Sequence, residues 1–277
     1  MLGGRAACDP YTRVLHPRAN TVSFFGELYL RSTLPFLSEE TTAKEVAYLA
    51  RRFEQLEVPG PVVDLGCGHG RHAARLNARG PLADRIIGLE LDALSLQERL
   101  PGFPAVRADL RSLPFRTGSL AGAYAWYSTL FVFSDEEHAA LLREVARCLR
   151  PGGLLVLHTV PYERLASQPE ASFSTRLPDG GLLEERSRFD AVRGRDEATR
   201  RLTMPDGRVL SGHYAIRYYP LADLTRLLEA TGFSVCWVHG GLEEERPSDT
   251  SMDLIVGAGL RLHQGSETVN YRSGSST

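Results

Sequence analysis

The chain has 277 residues, 43% hydrophobic and 24% charged, which argues against a collagen-like, wholly disordered or coiled-coil protein. Lys and Arg total 32 against 34 Asp and Glu, so the formal charge is -2 and the molecule lacks the overall positive field of non-specific nucleic-acid binding. No apolar run approaches the roughly 20 residues that cross a bilayer, and Met1 to Pro10 lack the apolar stretch of a signal peptide. The expectation is a cytoplasmic protein with no membrane or nucleic-acid partner. Cys8, Cys67, Cys148 and Cys236 have no paired spacing, so neither a disulfide framework nor a metal site is expected.

Helical and strand patterns alternate along the chain, as a parallel sheet covered on both faces requires. An apolar cluster of Phe24, Phe25, Leu28 and Tyr29 suggests an N-terminal lid helix, or simple packing on the sheet. Ser38 can cap a helix carrying Val46, Leu49, Ala50, Phe53 and Leu56 on one side, stopped at Pro59-Gly60-Pro61. A short strand over 61–65 runs into Gly66-Cys67-Gly68-His69-Gly70, then a helix over 71–79 closed by Gly80. Strands follow at 85–91, 105–108 and 122–126. Ser134 and Glu137 have capping-box spacing before a helix bearing Leu141, Leu142, Val145 and Leu149, ended by Pro151-Gly152-Gly153. A strand over 154–158, a helix over 221–230 and an antiparallel strand pair over 233–238 and 254–258 complete the rhythm.

Residues 161–219 break it. Strand-like stretches at 183–192, 199–204 and 209–219, separated by Arg193-Gly194 and Pro205-Asp206-Gly207, predict a small antiparallel sheet over one edge of the main one. The organisation read from the chain is therefore an N-terminal segment and lid (1–37), a nucleotide-binding-like domain (38–160 and 220–260), an inserted substrate cover (161–219) and a polar flexible tail (261–277).

Val62-Val63-Asp64-Leu65-Gly66-Cys67-Gly68-His69-Gly70 is the most informative stretch, because an apolar strand runs straight into three alternate glycines, where a ligand can approach bare backbone. The dinucleotide fingerprint G-x-G-x-x-G would need Gly or Ala where Arg71 stands, which disfavours a nicotinamide oxidoreductase without removing it. Glu90, at the end of the second strand, is placed to accept from ribose hydroxyls, with Asp92 the competing candidate. Asp109, after the third strand, is placed to accept from an exocyclic amine.

The segments Phe24 to Leu30, Thr41 to Val46, Val63 to His72, Leu149-Arg150-Pro151-Gly152-Gly153, Asp223-Leu224 and Thr231-Gly232-Phe233 resemble the small-molecule class I S-adenosylmethionine-dependent methyltransferases. The resemblance runs from Ser23 to Gly259. It implies an α/β fold: a doubly wound, seven-stranded, mostly parallel sheet with an antiparallel last strand, plus the small antiparallel insertion. It also implies S-adenosylmethionine as cofactor and S-adenosylhomocysteine as product. Carried over by position, Asp64, Gly66, Cys67, Gly68 and Gly70 surround the methionine part, Glu90 the ribose, and Leu91, Asp109 and Leu110 the adenine. Tyr29, Trp126 and Tyr127 are further cofactor-pocket candidates. One departure is Glu90-Leu91-Asp92, where the family more often has Asp, a residue, then Ser.

Methyl transfer from a sulfonium is a direct displacement, so the protein chiefly aligns a nucleophile and excludes water. A hydroxyl acceptor gains from a general base, for which His158 and His213 are the candidates. The implied activity is methylation of N or O on a small molecule, in secondary metabolism, by a monomer or a homo-oligomer. A non-catalytic adenosine-ligand protein is the remaining alternative.

Overall fold

In the computed structural model, which describes residues 25–261, two β-sheets and seven α-helices are present. Phe24, Cys8 and the tail beyond Arg261 lie outside the described residues. Helix α1 (Glu27–Thr33) precedes α2 (Glu39–Glu54), whose Ser38 cap accepts from Thr41 N–H at 3.0 Å. Glu39 and Glu40 in its first turn and Arg51 and Arg52 in its last suit the helix dipole. Strand β1 (Val62–Leu65), α3 (Arg71–Asn77), β2 (Ile86–Glu90), α4 (Ala93–Gln97), β3 (Ala105–Arg107) and β4 (Leu120–Ala125) follow. The capping box at Ser134 and Glu137 opens α5 (Asp135–Cys148), which leads to β5 (Leu149–Thr159).

After α6 (Tyr162–Ser167) come the four strands of the second sheet: β6 (Glu170–Arg176), β7 (Leu182–Asp190), β8 (Arg195–Thr203) and β9 (Val209–Arg217). Helix α7 (Leu221–Ala230), β10 (Phe233–His239) and β11 (Leu254–Leu260) return the chain to the first sheet.

The main sheet has the order β10-β11-β5-β4-β1-β2-β3, with β11 antiparallel to both neighbours. Period-two alternation sends Val63, Leu65, Ala123, Leu155 and Leu157 to the core under α5 and α7, and Val62, Tyr124, Leu154 and Val156 to the core under α2 and α3. Both faces are covered, which is why β1 and β4 read as continuous buried runs. Emptying the fully buried Phe53 of α2, which packs in the second of these cores, by Phe53→Ala would cost about 3–5 kcal/mol.

Two expectations need adjusting. The insertion has four strands, because β6, with six of its seven residues exposed, carries no apolar alternation and is held through its ladder to β7. The inserted sheet also stands apart from both edge strands, β10 and β3, and projects over the carboxyl ends of the main strands. Ion pairs fasten it there, from Arg195 and Arg217 to Asp135 at the start of α5 and from Arg208 to Glu27 on α1. Helix α4 and the early start of β5 were also invisible to periodicity, the first being a single short turn capped by Asp92. Among the described residues no helix is long and apolar enough to cross a membrane.

Candidate active site

Chain order along the sheet reverses between β1 and β4, and ligands of open α/β sheets bind outside the carboxyl ends at such a point. A cavity of about 390 Å³ opens there, within the range of small-molecule sites. Its floor is the turn after β1. Gly66, Gly68 and Gly70 have φ of 74°, 55° and 83°, but they serve different purposes. A Cβ on Gly66 would stand 2.2 Å from the Thr129 methyl, and one on Gly70 would stand 2.1 Å from the Phe103 ring, so these two make room for the protein itself. A Cβ on Gly68 would meet nothing within 4 Å, so of the three glycines of this turn only Gly68 presents bare backbone to open space.

Glu90 ends β2 on the same wall, held by three backbone N–H groups. Oε2 accepts from Gly68 at 2.9 Å, and Oε1 from Leu91 at 2.7 Å and Asp92 at 2.9 Å. The competing acid, Asp92, is occupied as the α4 cap, accepting from Ser95 N–H at 2.6 Å. Asp64 is buried, and burial pushes its carboxyl up to about 7 against the opposing effect of the Tyr124 phenol and the Arg71 guanidinium. Burial also raises the Cys67 thiol, which stays protonated.

Arg71, the departure from the dinucleotide fingerprint, lies on the cavity wall and is 8% exposed. Its Nη1 donates to Thr42 Oγ1 at 3.0 Å and to the Glu45 carboxylate, while Nη2 is buried without a hydrogen-bond partner. Glu45, on α2, also receives His72 Nε2 at 2.9 Å, Trp126 Nε1 at 3.1 Å and Tyr127 OH at 2.6 Å. Burial alone would raise its carboxyl, but the His72 and Arg71 hydrogen bonds prevail and hold it at about 2. Burial depresses His72 to about 4, so at neutral pH the ring is uncharged and donates to Glu45.

Trp126, Tyr127 and His158 form the wall at the ends of β4 and β5. His158 stacks on Trp126 with ring centroids 4.5 Å apart. Its Nδ1 accepts from Tyr127 N–H at 3.2 Å, which fixes the tautomer, so Nε2 carries the proton and donates to Asp253 at 3.1 Å. Tyr127 and Ser128 both adopt left-handed backbone, φ 52° and 59°, a conformation costly for non-glycine residues. They are held by that N–H, by Ser128 N–H to the His158 carbonyl at 2.9 Å, and by the Ser128 and Thr159 hydroxyls 2.9 Å apart.

Of the residues expected at a site, Tyr29, Asp64, Gly66, Cys67, Gly68, Glu90, Trp126, Tyr127 and His158 line this cavity. Gly70, Leu91, Asp109, Leu110 and His213 do not. Leu91 is 49% exposed beside Glu90, Leu110 is buried in the core, and Asp109 is bound through both oxygens by Arg111. His213 alternates with Tyr214 on β9, which turns it to the opposite face from the cavity-lining Tyr214 and Ile216.

Residues 62–153 match the family described as methyltransferase domain. The chain is 35% identical over 153 residues to trans-aconitate 2-methyltransferase of Azoarcus sp. (strain BH72), an alignment covering 52% of this chain and 57% of that protein. The chain thus spans little more than half the length of this curated relative. Among solved structures, the CcbJ methyltransferase from Streptomyces caelestis superposes with a TM-score of 0.72 at 19% identity, covering 87% of this chain and 99% of that one. CalS10, an amino pentose methyltransferase from Micromonospora echinaspora solved with S-adenosylmethionine bound, gives 0.61 at 19% identity, over 86% and 98%. The likenesses to solved structures show the fold.

Several residues of the site carry no signal in the sequence. Glu45, behind the cavity wall, has no motif that marks it, and Arg71 is legible only as a mismatch to the dinucleotide fingerprint. Arg200, Tyr214 and Tyr218 were hidden in the insertion, where Arg200 pairs with Glu185 and reaches Ser32 Oγ at 3.1 Å and Thr33 Oγ1 at 2.7 Å on α1. No sequence spacing announces contacts between residues so far apart.

Proposed function

We propose that the protein transfers a methyl group from S-adenosylmethionine to N or O of a small-molecule acceptor of secondary metabolism, releasing S-adenosylhomocysteine. The observation that carries this reading is Gly68: open backbone in left-handed conformation, tethered to the Glu90 carboxylate, at the switch point of a methyltransferase domain. The residues present fit the cofactor. The space above Gly68 is one that any side chain would fill, and Arg71 Nη2 is an orphaned buried donor suited to a carboxylate. Asp64 would hold the ammonium of the methionine part and Glu90 the ribose, both from the cavity lining. Bound there, the cofactor supplies an electrophilic methyl group on sulfur.

The protein's own part is orientation and exclusion of water. Tyr214 and Ile216 of the inserted sheet and Tyr218 just after it roof the cavity opposite the glycine turn, and Tyr29 and Phe25 of the N-terminal segment close one side. His158 stacks on Trp126 and holds the Tyr127 turn; with both ring nitrogens bonded it serves as a positioning group, and the acceptor's proton leaves to solvent. CalS10, an amino pentose methyltransferase, supports an aminosugar acceptor, and the Azoarcus relative supports trans-aconitate.

Calorimetry of the full chain with S-adenosylhomocysteine and with NAD tests the cofactor assignment: saturable binding of the first and none of the second is expected, and the reverse would overturn it. A mass-shift screen of aminosugars, phenols and trans-aconitate with labelled S-adenosylmethionine then tests transfer. A chain that binds the cofactor and methylates no acceptor would be a non-catalytic binder.

A further inference from the structure

The cavity wall between the glycine turn and the β4 end is assembled by one carboxylate that belongs to neither. Glu45 sits on α2, outside residues 62–153, is 3% exposed and does not itself line the cavity. Four side chains from α3 and the β4 end donate to it: Arg71, His72, Trp126 and Tyr127. All four are parts of the cavity wall, a guanidinium, an imidazole, an indole and a phenol. Each would otherwise have several rotamers, and Arg71 would be a buried cation with no counter-ion, a costly state. Because Glu45 and Thr42 occupy Nη1, Nη2 is the arm left for a ligand. The Tyr127 bond further pins the first of two consecutive left-handed residues.

We propose that Glu45 is the positioning residue of this site, an anionic anchor on α2 that aims Arg71 at the ligand and fixes Trp126 and Tyr127 around it. It does so without touching cofactor or acceptor, and it is not a base: a carboxylate receiving four donors keeps no readily protonated lone pair. This deepens the methyltransferase reading and rests on it.

The test is a double-mutant cycle read by S-adenosylhomocysteine affinity on the full chain, with melting temperature recorded on the same samples. Glu45→Gln and Arg71→Met should each weaken binding by about tenfold or more, and the double variant should lose little beyond either single one, because Glu45 acts through Arg71. Losses that multiply, or a Glu45→Gln protein that melts lower yet binds as wild type does, would make Glu45 a mere packing residue and overturn the inference. Should Glu45→Gln fail to fold, Tyr127→Phe, which removes only a half-exposed phenol bond to the same carboxylate, replaces it in the cycle with Arg71→Met, and coupling of about threefold or more is expected. Independent losses there overturn the inference alone. A wild-type chain that binds no S-adenosylhomocysteine overturns the proposed function and the inference with it.

Discussion

The floor and the roof of the cavity are built by opposite means. The floor is backbone: a glycine turn between two buried strands, with a carboxylate held by three N–H groups supplied within residues 68–92. The roof is side chains on a sheet whose strands are mostly half-buried or buried, brought into place by long-range pairs such as Arg200 with Ser32 and Thr33. A backbone site is set by local conformation and tolerates few substitutions, whereas a side-chain roof changes its ligand by changing residues on a fixed ladder. The floor is therefore the part less open to substitution and the roof the more adaptable one.

Substitutions at the glycine turn separate ligand space from protein space and should have the largest effects. Gly68→Val, entering space that is open in the free protein, is expected to cut S-adenosylhomocysteine affinity by about a hundredfold or more, with the left-handed strain of about 1–2 kcal/mol as its main cost to stability. Gly66→Ala should do the reverse, lowering the melting temperature sharply because its Cβ collides with Thr129. Calorimetry and thermal melts on both proteins check the contrast; equal melting losses would erase the distinction between the two glycines.

On the roof, Arg200→Met should lower turnover of the acceptor by about tenfold while S-adenosylhomocysteine affinity stays within about threefold, since Arg200 orders α1 and the β8 face rather than the glycine turn. A larger loss in cofactor affinity than in turnover would mean that the two halves are not separable.

The smallest expected effect is on pH dependence. With Asp64 at about 7 in the free protein, a ligand ammonium favours its ionised form, so binding releases a proton and affinity rises with pH until about 7, then levels. The ligand-free fold responds in the opposite direction. A carboxyl raised from 3.8 to about 7 on folding adds stability that is complete below the unfolded value and is lost as pH rises through about 7. Asp64→Asn should flatten both profiles in binding and melting experiments.

The strand into Gly66-Cys67-Gly68-His69-Gly70, the capping box at Ser134 and the antiparallel pair at the end were legible because each is written in contiguous residues. Strand β6 was not, since a nearly all-exposed strand has no apolar period to read, and no pattern of the sequence shows that Arg111, two residues on, takes both Asp109 oxygens. Three glycines in a row of alternate positions looked alike in sequence, and the difference among them lies in Thr129 and Phe103, which come from elsewhere in the chain.

By itself the sequence determined the alternating fold, the reversed last strand and the place of the nucleotide-like turn, because these follow from hydrophobic period, caps and glycines acting over a few residues. Only the tertiary structure decided which glycine faces open space, that Glu45 gathers Arg71, His72, Trp126 and Tyr127, and that the inserted sheet covers the strand ends. Those depend on side chains meeting across dozens of residues, where burial strengthens a charge-assisted contact and no local pattern records it.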